Sequence, residues 1–479
     1  MDKETLVFTN SLEENLLQLR EVFVYSEDFI IDYTPINGED AFLVYIESIV
    51  DKKTIEQRVI KPLHIMNSSD EKSKRTETFV TESNSVKEIT SRLLNGNCVL
   101  LKRGTDLLLV FEAAAFESRS IKEPASEGVI RGSHDGFIES LSTNISLIRK
   151  RLQNPKLKIK YFTIGTESNT KVAMIYLDHI ANTSTVQKIQ EKLLSIDIDY
   201  VMAPGHLEEF ISSNTSIFPT MLSTERADRT AANLMDGRVA IIADSSPGAL
   251  IAPSTFFTFF QSPDDYNNRP YFGSFIRFLR IFGFLITVML PALYIAIVSF
   301  HYEILPTEIV FSIKSSLEYV PYPPLIEAFA MQITLEILRE ASLRLPSRIS
   351  QTIGVVGGLV IGTAVVEANL VSNTMIIVVA ITAISSFIVP ITEMGSAIRL
   401  LGFPFMLLAS MLGFIGISFF LMYVLIHLCK LESFGTPYFS PLSTLSWNEL
   451  KDTIIRAPAP TFTLRPRDTQ PKKRRKTKG

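Results

Sequence analysis

The sequence predicts an α/β N-terminal half made of two related α/β subdomains, followed by an all-α polytopic membrane domain. Three observations carry this. Ile281–Phe300, IFGFLITVMLPALYIAIVSF, holds no charged residue and is as long as a helix needs to be to cross a hydrocarbon core. The residues before it alternate strand-like and helix-like stretches. Within them, one order of elements is read twice.

AFLVYIESI (41–49) is strand-like, and DKKTIEQRVIKPL after it repeats its apolar positions at helical spacing. The polar stretch 67–85 reads as a loop. Residues 88–113 read as a helix, a turn and a hairpin. The pattern then returns: 171–196 mirrors 41–63, and 229–253 mirrors 88–113. LLNGNCVLL and LMDGRVAII put Gly96 and Gly237 at equivalent places, where glycine closes a helix at positive φ before a strand. Chance similarity between two α/β units is the bland alternative. SLSTNISLIRKRL, in the connecting stretch 118–160, reads as a helix with a basic end.

SPDDY (262–266) opens the approach to the membrane. Ser262 suits a helix cap, Pro263 its first turn, and Asp264 and Asp265 its positive end. Beyond Phe300, the apolar segments are Thr352–Val366, Leu370–Val389 and Leu400–Leu428. The predicted spans are 281–300, 352–368, 370–390 and 401–428, with both termini cytoplasmic. Helix 325–345 is then re-entrant or interfacial. The boundaries that follow are 1–117 and 118–255 for the subdomains, 256–280 for a juxtamembrane linker helix, 281–430 for the membrane domain and 431–479 for a cytoplasmic tail.

Composition bounds the function. A net charge of −3 argues against a polyanionic partner, so no nucleic acid is expected. The acidic, polar start MDKETLVFTNSLEEN is no secretory signal, which keeps the N-terminal half in the cytoplasm. Cys98 and Cys429, one in each half, predict neither a disulfide nor a metal cluster, and the six histidines show no ligand spacing. There is no P-loop, GxGxxG, GxSxG or HExxH. Ser245 and Ser246 follow a strand, but a polar hairpin turn explains them better than a nucleophile. The expectation is a non-enzyme without cofactor or metal.

Helix 325–345 carries the sharpest signal. At 100° per residue, Gln332, Glu336, Arg339, Glu340 and Arg344 gather on one side. Ionisable groups at membrane depth face a protein interior or water, so this side is a candidate lining of an ion path or gate. An amphipathic helix on the membrane surface is the competing reading. Gly354, Gly358 and Gly362, broadened by Gly357, form a small-residue stripe that permits close helix contact, within a subunit or between subunits. Glu367 and Asn369 follow as either an interfacial helix end or a polar site. The tail cations Lys472, Lys473, Arg474, Arg475, Lys476 and Lys478 could contact nucleic acid or anionic lipid; a disordered cytoplasmic flank is the plainer reading.

SPDDY, LPTE (305–308), PPLIEA (323–328), ILREASLRLP (337–346), QTIGVVGGLVIG (351–362), AVVEANLVS (364–372) and SFGTPYFSP (433–441), in this order, resemble the A subunit of GerA-type spore germinant receptors. DGRVAIIADSSP (236–247) and FPTMLSTERADR (218–229) fit the soluble half of that family. Family members commonly carry Gln after the glycine stripe, where this chain has Thr363-Ala-Val-Val. The resemblance implies the inner spore membrane, a transporter-like B subunit, a lipoprotein C subunit and membrane lipid as partners. It also implies a homo-oligomer of A subunits forming a nutrient-gated path that releases cations. A carrier is the alternative. Carriers often repeat their membrane half, whereas the repeat here lies in the soluble half.

Overall fold

The computed structural model describes residues 7–36, 38–61, 81–114, 124, 127–129, 131–212, 216–345, 358, 360, 362–444 and 449–476. Its N-terminal half holds two antiparallel sheets. In the first unit, α1 (Leu12–Val22) precedes β1 (Phe29–Tyr33) and β2 (Ala41–Ile46). Then come α2 (Lys52–Ile55), which runs on as a π-turn to Ile60, and β3 (Thr81–Ser83). α3 (Val86–Leu94), β4 (Asn97–Lys102) and β5 (Leu108–Glu112) complete the unit. The strand order is β1-β2-β4-β5-β3. β2 alternates its side chains between two cores. Val44 and Ile46 meet Leu19 and Ile89 on one face, and Leu43 and Tyr45 meet Ile55 on the other.

The second unit repeats this plan. α4 (Leu141–Arg151) precedes β6 (Leu157–Ile164) and β7 (Thr170–Leu177), and α5 (Thr183–Leu194) follows. An additional helix, α6 (Pro204–Ile211), comes before β8 (Leu222–Thr224). α7 (Ala227–Met235), β9 (Val239–Ala243) and β10 (Ala249–Ala252) close the unit. Its order, β6-β7-β9-β10-β8, is the first order over again. Gly96 and Gly237 each end the helix before the fourth strand, at φ +85° and +95°. Ser245 and Ser246 occupy the β9–β10 turn, Ser245 at φ +64°.

The stretch 256–280, expected as one linker helix, is instead a 3-10 turn (Phe256–Phe260), α8 (Pro263–Asn267) and the start of α9 (Pro270–Phe300). Pro270 lacks an N–H, so it interrupts the chain and opens a new helix. The C-terminal half then adds α10 (Thr307–Leu317), α11 (Pro324–Arg344), α12 (Asn373–Ser386), α13 (Thr392–Leu412) and α14 (Phe414–Lys430). By length and composition, α9 and α13 are each apolar enough to cross a membrane.

Contacts fix the helix directions. Tyr294 of α9 meets Ser372 at the start of α12, and Gly283 meets Ser385 at its end, so the two are antiparallel. Glu327 of α11 bonds Ser372, and Arg339 bonds Ser386, so α11 and α12 are parallel. Helix 325–345, expected to be re-entrant or interfacial, packs along α12 and buries Glu327, Ala328 and Met331. The stretch 401–428 is not one tilted helix. Gly413, at φ +61°, breaks it, and the Phe405 and Phe420 rings meet 4.7 Å apart across an α13–α14 hairpin. A Cβ at Gly413 would press on Phe300 and His301, and one at Gly416 would run into the Leu408 carbonyl. Backbone that close admits only glycine.

The tail corrects a further expectation. It is no disordered flank. After the hairpin of β11 (Glu432–Ser433) and β12 (Thr436–Pro437), it returns to the second unit. Lys472 N bonds the Ile180 carbonyl at 2.9 Å, and Arg465 Nε bonds that of Met235 at 2.7 Å. Thr469 Oγ1 bonds the Asp236 carbonyl at 2.8 Å. Of the tail cations, Lys472 Nζ donates to the Asp178 carbonyl at 2.9 Å and Lys476 pairs Asp236 at 2.6 Å.

Candidate functional site

The α/β half meets the helical half through buried charge. Ser262 and Asp265 form a capping box at the start of α8, so the Asp265 carboxylate is held in place locally. Arg277 and Arg280, three residues apart on α9, share one face. Arg277 Nε reaches Asp265 at 3.3 Å, and Arg280 Nη1 donates to both Asp265 oxygens at 2.7 and 2.8 Å. Arg277 also binds Asp452 Oδ1 of the tail at 3.0 Å, and the Tyr266 hydroxyl donates to the same carboxylate at 2.9 Å. Arg277 is 0% and Asp265 2% exposed. Two carboxylates therefore balance two guanidiniums, which is what buried charge requires. Burial pushes the Asp452 carboxyl above its usual range, although Arg277 pulls the other way.

α7 clamps the same junction from the α/β side. Arg229 donates to the carbonyls of Thr258 and Gln261 and pairs Glu127 at 3.1 Å. Arg226 pairs Asp228 at 2.7 Å and holds the Ser133 carbonyl at 2.9 Å. On α6, the half-buried Glu208 carboxyl is pushed up to about 7 by burial and then by Glu393, in the first turn of α13.

Inside the bundle, three of the five charged-face candidates converge. Gln332, Glu336 and Arg339 line a small cavity with Thr287, Ser386 and Arg399. Glu336 pairs Arg399 of α13 at 2.7 Å and Arg339 at 3.3 Å. Arg339 also donates to Ser386 Oγ at 2.8 Å, and its guanidinium lies 4.4 Å over the Phe387 ring. Glu340 and Arg344 stand apart as an exposed pair 2.5 Å apart. The polar side of α11 is therefore two surfaces, one inside the subunit and one outside it.

Glu367 is exposed, and Asn369 sits at φ +52° in the turn that ends residues 362–367, the conformation asparagine favours after a helix. Among the described residues, an added Cβ at Gly358 or Gly362 would meet nothing within 4 Å. Gly354 and Gly357 lie outside the described residues. Two residues escaped the sequence reading of the site. Arg399 is a lone charge beside an apolar run, a signal of intramembrane function by itself. Glu327, in the first turn of α11, is the other. It is 1% exposed; one oxygen accepts from Ser372 N at 2.8 Å, and the other has no partner among the described residues.

A model of the GerA spore germination proteins of Bacillus and Clostridium matches residues 17–468. The chain is 40% identical over 473 residues to spore germination protein B1 of Bacillus subtilis (strain 168), covering 96% of this chain and 98% of that one. It is 38% identical over 474 residues to the membrane protein YfkQ of the same strain, covering 97% and 92%. The N-terminal domain of the A subunit of the Bacillus megaterium spore germinant receptor GerK3 aligns with 52% of the chain and 98% of that structure, at 29% identity and a TM-score of 0.40. The chain belongs to the GerA family of spore germination proteins.

Proposed function

We propose that copies of this chain assemble in the inner spore membrane around a nutrient-gated cation path, whose opening releases cations and triggers germination. A transporter-like B subunit and a lipoprotein C subunit complete the receptor. The observation that carries this is the surroundings of Gly358 and Gly362: a Cβ added at either would meet nothing within 4 Å among the described residues, and Glu367 is exposed beyond them. In hydrocarbon a bare glycine face packs poorly and a carboxylate is costly. A neighbouring copy covers the glycines, and water in a central path hydrates the carboxylate. Gln332, Glu336 and Arg339, turned inward, act on the gate rather than on permeation.

Charge supports the orientation. Arg277, Arg280, Arg339, Arg344, Arg399 and Lys430 lie toward the α/β end of the bundle. The distal stretch 301–322 carries Glu303, Glu308 and Glu318 against Lys314. The α/β half is then cytoplasmic and the helices pass the membrane several times.

The test is single-channel recording of the reconstituted chain. Discrete unitary currents are expected. Glu367→Gln lowers cation preference, while Glu336→Gln alters open probability at unchanged conductance. Saturable stoichiometric flux without unitary steps establishes a carrier instead. Gly358→Leu adds bulk where two backbones approach, at about 1–3 kcal/mol, so assembly fails. Normal assembly of that variant removes the glycine interface.

A further inference from the structure

A cavity of about 610 Å³ opens where α14 leaves the bundle, beside the second α/β unit. Its cations come from two elements. Lys188 and Lys192, four apart on α5, share one helix face, and Lys430 ends α14. None of the three ammonium groups pairs with a carboxylate among the described residues, although Glu191 and Glu432 also line the space. Gly435, at φ +86° in the β11–β12 turn, makes room for Lys188; a Cβ there would lie 2.5 Å from Lys188 Nζ.

The level of this cavity follows from α14. Ile415, Phe419, Met422 and Ile426 are exposed apolar side chains, and Lys430 comes one turn after the last of them. A lysine at that place marks the boundary between hydrocarbon and headgroups. The second unit touches the same level, because Ser216 Oγ lies 2.8 Å from His427 Nε2 of α14. Beside these contacts the unit exposes Phe210, next to the lining residues Ile211 and Ser212, and Ile217, next to Ser216. Apolar side chains facing outward on an α/β unit at a helix end fit shallow insertion into a membrane surface.

We propose that Lys188, Lys192 and Lys430 hold the phosphate of an anionic phospholipid headgroup in the leaflet facing the α/β half. Three compact ammonium groups supply nine donors to one phosphodiester. Phe210 and Ile217 rest among the adjoining acyl chains. The site pins the second unit to the membrane surface, and it holds whether or not the bundle conducts.

The experiment is native mass spectrometry of the full chain in detergent, titrated separately with phosphatidylglycerol and phosphatidylcholine. The parent is expected to retain phosphatidylglycerol over phosphatidylcholine. Each Lys→Gln change lowers that preference roughly fivefold, and K188Q/K192Q/K430Q lowers it on the order of a hundredfold if the effects add. K188R/K192R/K430R keeps the preference, which separates charge from fold. Lys430→Gln alone, at an exposed helix end, carries the test if the triple variant aggregates. Undiminished phosphatidylglycerol retention in the Lys→Gln variants overturns the proposal. Displacement of the lipid by inorganic phosphate at equal concentration also overturns it, by making the ligand a soluble anion.

Discussion

The two α/β units share a strand order but not their wiring to the rest of the molecule. The second is built into the bundle. One face of its sheet belongs to a core that continues through Phe256 and Phe260 into α9, α12 and α13, and the tail folds back onto it. The first unit has cores of its own. Among the described residues it is joined to the second through a buried pair, in which Arg149 binds both Asp28 oxygens at 2.7 Å, and through Glu27, whose N donates to the Ile159 carbonyl at 3.0 Å and whose carboxylate accepts from Tyr161 N at 2.6 Å. Ser26 supports that pair by accepting from Ile159 N. One fold thus serves twice, once as the base of the helical half and once as an outlying body with cores of its own. A movement of the second unit reaches α9 directly, whereas the first unit meets the second at Arg149 and at the Glu27 bonds to β6.

The largest effect should come from the second unit's anchor. Asp265→Ala strands Arg280 in a buried site and leaves Arg277 with Asp452 alone, which costs about 3–5 kcal/mol. Protease should then cut between the α/β half and α9 while the α13–α14 hairpin stays protected. Arg149→Met removes the outlying unit's anchor and leaves Asp28 with two serine hydroxyls, at about 3 kcal/mol. Hydrogen exchange should rise across the first unit and leave the second unchanged. Equal loss of protection in both units would erase the distinction between them.

A smaller effect concerns pH. Glu208 belongs to the second unit and faces Glu393 of the bundle, and its carboxyl is raised to about 7 from an ordinary 4.5. The folded chain keeps that proton where the unfolded chain has released it. Stability therefore falls as pH rises from about 5 to 8, by about 2 kcal/mol after discounting for partial exposure. Thermal unfolding of the full chain should show this slope, and Glu208→Gln should flatten it. A slope unchanged in that variant would assign the pH dependence to other groups.

The sequence made the repeat legible because Gly96 and Gly237 each mark the same backbone demand inside a matching apolar pattern. Helix 325–345 was legible from its capped, periodic charges. Its depth was not, because a polar face looks the same whether water or Arg399 satisfies it. The break at Gly413 was hidden by hydropathy that stays high on both sides. The Arg277–Asp452 pair joins residues 175 apart, beyond any local pattern. The tail was misjudged because Arg465, Thr469 and Lys472 hold it through backbone carbonyls, which leave no trace in composition.

The finest comparison lies at the two equivalent glycines. Both hold a positive φ that alanine adopts at a cost of about 1 kcal/mol. Their surroundings differ. A Cβ at Gly96 would lie 2.9 Å from the Ile49 carbonyl oxygen and 3.0 Å from the Ala114 Cβ, against backbone that cannot retreat. A Cβ at Gly237 would lie 3.4 Å from Ile180 and Pro471 side chains, an ordinary contact. Gly96→Ala should therefore cost about 1 kcal/mol more than Gly237→Ala, with overpacking added to strain. Urea unfolding of both variants, followed by hydrogen exchange in each unit, measures the difference. The opposite order would mean that the tail, through Pro471, leaves Gly237 less room than Ile49 and Ala114 leave Gly96. The second unit would then be the tighter of the two even at the position where its repeat partner is most confined.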